Sequence, residues 1–285
     1  MACTPLRLLP FPLDFRAPAG QSPGPMHSTP RQPAPSIGHR LAALYRSMHT
    51  ALGPQGWWPG RTRFEVIVGA ILTQNTAWTN VAQALANLRR ARVLTPARLA
   101  SLPRDRLAAL IRPAGYYNIK AARLRHFLRY LGSRYRLRLD RMLTRQPSRL
   151  RQELLAVSGI GPETADSILL YAGKIPAFVV DAYTRRILSR HGLIASDASY
   201  DAVQVLLMRS LPPSAALYNE YHALLVAVGK TFCRPTPRCA GCPLRGDLTR
   251  FRPGTARRFL RLTDRTVPRK GDRSQCLPGE IRPPA

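Results

Sequence analysis

Lysine is nearly missing from a chain that is otherwise strongly basic. There are 44 lysines and arginines against 15 acidic residues, and only Lys120, Lys174, Lys230 and Lys270 are lysines. Any chemistry that needs an amine nucleophile is confined to those positions. Long apolar runs are missing too: no stretch reaches the roughly 18 residues that a membrane-spanning helix needs. A signal-peptide core is not offered, since Pro5, Pro10 and Pro12 interrupt every early apolar stretch. Cysteine is scarce, and three of the five crowd between 233 and 242. That is not the framework of a small secreted protein, so a cytoplasmic location is expected. No Gly-x4-Gly-Lys loop occurs, which argues against nucleotide hydrolysis, and no His-x3-His or His-Glu-x2-His run supports a hydrolytic metal centre. Alternating strand patterns of any length are absent.

What is present is arginine and helical periodicity. The formal net charge is +29, which suits a polyanionic partner, most often nucleic acid. Arginine-, alanine- and proline-rich composition from GC-rich coding accounts for the same charge as a merely solvated surface. Hydrophobic residues make up 45% of the chain, enough for a core. Phe64, Ile67, Val68, Ile71 and Leu72 follow helical spacing, as do Val81, Ala84, Leu85 and Leu88. Ala165, Ile168, Leu169 and Ala172 repeat it up to Gly173, and Leu224, Leu225 and Val228 mark a late helix. The fold class is therefore all-α. Residues 1–36 are proline-rich and aperiodic and 250–285 are basic and aperiodic, so both are expected to be disordered tails around a core at 37–249.

The sharpest motif runs from Leu155 to Ala165. An apolar helix enters, Ser158-Gly159-Ile160-Gly161 turns, and a second helix begins near Pro162, a favoured first helical residue. The glycines expose backbone N–H groups beside a helix N-terminus, which suits a DNA phosphate. Ile160 would plug the hairpin into the core. An ordinary turn between helices is the plainer alternative. Next, Ala177-Phe-Val-Val leads to Asp181, which opens a helix. Asp181 fits a helix N-cap; it also fits a carboxylate at a cleft mouth, able to stabilise an oxocarbenium ion and orient water.

These segments resemble the helix-hairpin-helix (HhH-GPD) DNA glycosylase superfamily, close to endonuclease III, over residues of about 40–248. Within it, Trp57-Trp58-Pro59, Phe64-Glu65, Leu72-Thr73-Gln74-Asn75-Thr76, Tyr117-Asn118-x-Lys120-Ala121 and Gly159-Ile-Gly161-x-Glu163-x-Ala165-Asp166 are most similar to the 3-methyladenine DNA glycosylase branch. The resemblance implies two helical lobes. One is a six-helix barrel at about 57–176, and the other joins 38–56 to 177–249. A damaged base is flipped from duplex DNA into the cleft between them. It implies that Asp181 is the catalytic carboxylate and that Gln74 fills the hole left by the base. It further places Asn75, Asn118 and Lys120 on the DNA, with Ser158, Gly159, Ile160, Gly161 and Thr164 of the hairpin. Trp57, Trp58 and Trp78 would wall the base pocket, since a cationic alkylated purine favours an electron-rich indole face; packing between helices is their other reading. Gln74 and Asn75 could also serve as helix caps.

One position bears on reaction type. In bifunctional relatives a hairpin lysine forms a Schiff base with the sugar, and Glu163 stands at that place here. Glu163 either contacts the pocket or sits exposed. A monofunctional glycosylase without lyase activity is therefore expected, acting on alkylated purines such as 3-methyladenine. Lys174 reads as a cation at a helix C-terminus, and His222 as a packed residue beside Leu225.

Cys233-x5-Cys239-x2-Cys242 resembles the iron–sulfur loop of the family, which takes four thiolates for a [4Fe–4S] cluster. Leu248 stands where the fourth cysteine would fall. A cluster with an unusual fourth ligand, a loop without metal, and a zinc site with three cysteines all remain open. The expected partner is damaged duplex DNA, with no membrane, and the chain is expected to be a nucleoid-associated monomer. Two rivals stand beside this reading: an endonuclease III-like glycosylase and lyase for oxidised pyrimidines, and a non-catalytic DNA-binding protein.

Overall fold

The computed structural model describes residues 36–251, and among them every regular element is a helix. The tails expected at 1–36 and 250–285 lie outside the described residues, apart from their innermost positions. Ser36 is one of these: its hydroxyl accepts the His39 N–H and caps α1 (Ile37–Leu52). Such a cap contributes about 1 kcal/mol.

At the centre lies α2 (Arg63–Leu72), capped by Thr62 and buried from Phe64 to Leu72. A helix buried on nearly every side must be surrounded by others, and its one buried carboxylate, Glu65, is paired with Arg89 at 3.2 Å. In chain order there follow α3 (Trp78–Arg90), which packs on α2, then α4 (Pro96–Ser101), α5 (Arg104–Leu110) and a 3₁₀ turn at Arg112–Ala114. There follow α6 (Tyr117–Tyr135), α7 (Leu139–Leu143), α8 (Pro147–Leu155) and α9 (Pro162–Ser167). The one continuous helix expected through 165–172 is two pieces, because α9 runs into a wide π turn at Ile168–Ala172. The helical segment stops at Gly173 as its sequence suggests, but Lys174 takes the left-handed conformation (φ 55°). Gly173 serves close approach instead: a Cβ there would lie 2.7 Å from the Leu169 carbonyl oxygen.

A second group of helices consists of α1, α10 (Ala182–Arg190), α11 (Tyr200–Ser210), α12 (Ala215–Thr231) and α13 (Arg245–Phe251). Both α1 and α10 pack on α12, and α12 also reaches the π turn and so bridges the two groups. An extended, buried segment, Ala177–Val180, leads into α10. Its position is set by Asp166, which is fully buried. That carboxylate accepts from Arg151 (2.8 Å), Tyr200 (2.9 Å) and Gln204 (2.8 Å), and Gln204 also donates to the Phe178 carbonyl at 2.8 Å. A buried charge stays only when it is paired and hydrogen-bonded. Here the pairing ties the hairpin's second helix to the segment carrying Asp181.

Candidate active site

A cavity of about 920 Å³ opens between α2, α9, the π turn, α10 and α12. Trp57, Trp58 and Trp78 line it together with Tyr171 and Asp181. Trp58 is the hub of the aromatic wall. Its ring centre lies 5.3 Å from Trp57 and 5.1 Å from Trp78, both edge-on, and 5.0 Å from Tyr171 at 31°. Edge-to-face and offset contacts of this length are the favoured aromatic arrangements. All three tryptophans are half-buried against the core and also face the cavity, so packing and wall-forming coincide. Trp78 is the first residue of α3, beyond the loop that follows α2. Trp58 lies over Gly69 of α2, where a Cβ would meet its indole nitrogen at 3.4 Å, an ordinary packing distance.

Asp181 stands on the cavity wall as the N-cap of α10. Its Oδ1 accepts the Thr184 N–H at 2.7 Å, so the capping reading and the cleft reading are both realised. Its Oδ2 faces His222 Nε2 at 3.5 Å. Burial pushes the Asp181 carboxyl up, but the His222 imidazole and the Thr184 hydrogen bonds outweigh it and hold it below the usual carboxylate range. His222, expected only to pack, is buried on α12 and shares a 2.7 Å hydrogen bond with the Tyr171 hydroxyl. No spacing signal could have found it, since it lies 41 residues beyond Asp181. Glu163 is exposed on the rim, where this cavity meets a second one of about 580 Å³ lined by Arg185, Arg186 and Arg190. Surrounding protein and then the Asp181 charge raise its carboxyl.

The residues expected on DNA divide into two sets. Asn75, Asn118, Ser158, Gly159 and Gly161 are exposed or half-exposed on the hairpin side. Gly159 needs its freedom: its φ is +89°, and a Cβ would lie 2.3 Å from Arg123 Cγ. Gln74 is engaged within the protein. Its amide donates to the Gly159 carbonyl (3.0 Å) and the Thr164 hydroxyl (2.9 Å), and its oxygen accepts from Arg123. Three expectations are corrected. Lys120 is 1% exposed and donates to the Ala114 carbonyl at 2.7 Å, so it caps the 3₁₀ turn and cannot touch DNA. Burial, and then Arg123, pull its amine below the usual range. Thr164 is buried and its hydroxyl is occupied by Gln74. Ile160 plugs the core as expected, but its N–H bonds the Val157 carbonyl at 2.9 Å and is not offered to a phosphate. Tyr116, which the sequence reading passed over, is 69% exposed in a left-handed conformation at the start of α6.

Cys233, Cys239 and Cys242 come together around a cavity of only about 20 Å³, with Leu248 buried among them. The Cys233 sulfur accepts from Arg190 at 3.3 Å, and Arg190 also holds the carbonyls of Arg234 and Pro235. Asp247, the nearest carboxylate in sequence, is held by Arg40 at 2.8 Å and His191 at 2.7 Å. Burial pushes the Cys239 thiol up and that of Cys242 up to about 11, which keeps their protons. Among the described residues no group of three or more His, Cys, Asp or Glu is arranged to hold a metal ion. Cys276 lies outside them. This donor set does not fit a four-thiolate cluster.

Comparison with known proteins gives concordant results. Residues 68–213 match the family model described as HhH-GPD superfamily base excision DNA repair protein. A Methanocaldococcus jannaschii protein, named provisionally as a DNA repair glycosylase, is 44% identical over 203 residues, covering 71% of this chain and 92% of that one. Endonuclease III of Sulfolobus acidocaldarius is 30% identical, covering 65% and 82%. Among solved structures, the H. pylori 3-methyladenine DNA glycosylase bound to 1,N6-ethenoadenine is 28% identical with a TM-score of 0.59, covering 68% and 97%. An endonuclease III–DNA complex shares the fold at 22% identity and a TM-score of 0.66, covering 79% and 98%.

Proposed function

Because the chain belongs to the HhH-GPD superfamily of base excision DNA repair proteins, we propose that it is a monofunctional DNA glycosylase that removes alkylated purines such as 3-methyladenine. The observation that carries the reading is one carboxylate, Asp181, held ionised on the wall of an aromatic cavity. A flipped alkylpurine enters the cavity and rests against the wall formed by Trp57, Trp58 and Trp78. Its positive charge draws it to the indole faces and makes it a neutral leaving group. The N-glycosidic bond breaks, the electron pair leaves with the base, and Asp181 stabilises the oxocarbenium ion at C1′. Water then attacks C1′ and gives up its proton to the Asp181 carboxylate, which returns it to solvent. Hairpin amides and arginines hold the flanking phosphates, with the salt dependence that phosphate contacts bring.

The test uses methylated duplex DNA, with released bases separated by chromatography. The parent protein is expected to release 3-methyladenine, while Asp181→Asn binds the duplex and releases none. Binding without release by the parent would count against the proposal. A second reading, a glycosylase with lyase activity, has one observation in its favour: Lys230, at the end of α12, lines the same cavity. Borohydride trapping on the duplex decides it, since only an amine that forms a Schiff base is captured covalently.

A further inference from the structure

We infer that His222 and Tyr171 form a buried positioning relay that orients the Asp181 carboxylate toward the nucleotide sugar. The inference rests on the reading of Asp181 given above and assigns work to two side chains to which that reading gives no part in the chemistry.

The relay joins three elements. Tyr171 sits in the π turn, His222 on α12, and Asp181 at the head of α10. Tyr171 is 3% exposed and His222 5% exposed. The tyrosine hydroxyl meets His222 Nδ1 at 2.7 Å, and His222 Nε2 faces Asp181 Oδ2 at 3.5 Å. That nitrogen is buried and has no hydrogen-bond partner among the described residues. A buried polar atom left this way needs an explanation, and the carboxylate is the charged group it faces. With Tyr171 donating to Nδ1, the ring proton lies on Nε2 and points at Asp181. The carboxylate is then gripped on both sides, because its Oδ1 already accepts the Thr184 N–H. Hydrogen bonds in catalytic sites are often long without substrate and shorten in the complex. Tyr171 also packs on Trp58, so the relay begins on the wall against which the base would rest. The π turn supports the reading: these turns break helix register and recur at functional sites.

Other charged groups meet this cavity. Glu163 opposes the Asp181 charge from α9, and Arg186 and Lys230 line the wall from α10 and α12. The experiment therefore changes the relay alone, in the full chain, with His222→Leu, His222→Gln and Tyr171→Phe. Single-turnover base release from methylated duplex is followed against pH, with duplex affinity measured in parallel. Carbon NMR of the carboxyl groups follows Asp181 in the protein alone.

His222→Leu is expected to slow release by about 10- to 100-fold, the loss that follows removal of a hydrogen bond to a charged group, at unchanged duplex affinity. The acid limb of its rate profile moves to higher pH, because the group that holds the carboxyl down is gone. His222→Gln, which can still donate to Asp181, recovers part of the rate, and Tyr171→Phe falls between. An unchanged rate and acid limb in all three folded variants would overturn the relay. Should the parent release no base, the glycosylase proposal fails on its own, and the NMR titration still judges the relay: an unmoved Asp181 midpoint in His222→Leu overturns it. If His222→Leu does not fold, the same readouts on His222→Gln and Tyr171→Phe decide.

Discussion

A glutamate at position 163 stands on the pocket rim, at the place to which the family resemblance assigns the lysine of a lyase. Carboxylates do not form Schiff bases, so the residue type alone bears on reaction type. The geometry makes this testable, because Glu163 lines the same cavity as Asp181 and its carboxyl is raised in part by the Asp181 charge. Replacing it by lysine turns that repulsion into attraction and offers an amine to C1′. Glu163→Lys is expected to give a borohydride-trapped protein–DNA adduct that the parent does not give, read as a shifted band on a denaturing gel. No adduct would mean that the rim at 163 does not reach the sugar. At the same scale, Lys120 shows how a residue type misleads: a basic residue in a DNA-binding motif proves to be an internal cap on a carbonyl.

Among the elements, the loop between α12 and α13 is the part whose expected support does not fit its residues. Its closure depends on charged side chains instead. Arg190 grips three groups of the loop, while Asp247 joins α13 to Arg40 of α1 and to His191 after α10. Burial pushes the Asp247 carboxyl up, but His191 and Arg40 outweigh it and hold it low. A carboxyl depressed on folding contributes stability that is present above its unfolded value and lost as pH falls through its folded value. Asp247→Asn is therefore expected to cost about 1–3 kcal/mol at neutral pH, since it removes a carboxylate bonded to both Arg40 and His191, while Arg40 keeps its bond to the His191 carbonyl. Below about pH 4 the parent loses this advantage and the two proteins converge. Denaturant melts at neutral and acid pH check it; an equal gap at both would show that the carboxylate charge is not what closes the loop.

For the whole molecule, the charge of +29 implies binding dominated by phosphate contacts. Each phosphate neutralised contributes about −0.9 to the slope of log affinity against log salt on duplex DNA. Arg185 lines the arginine-rich cavity beside Asp181. Arg185→Ala is expected to weaken binding to damaged and undamaged duplex alike and to lower the slope by about 0.9. Fluorescence anisotropy across a salt series measures this, and an unchanged slope would place Arg185 off the phosphate path.

The amino-acid sequence by itself determined the helical class, the position of α2, the hairpin at 158–161 and the helix opened by Asp181. Those features rest on local rules: apolar spacing, proline at a first turn, glycine where φ is positive, and aspartate as a cap. The family resemblance extended that reading to the cleft and its tryptophans. Only the tertiary structure decided which side chains meet across the chain. It drew His222 to Asp181, tied Gln74 to the hairpin 85 residues away, sank Lys120 and closed the cysteine loop with Arg40 of α1. The reason is physical. Periodicity shows that a helix has a buried face, but the partner that satisfies a buried polar group comes from another element, and its distance along the chain leaves no spacing to read.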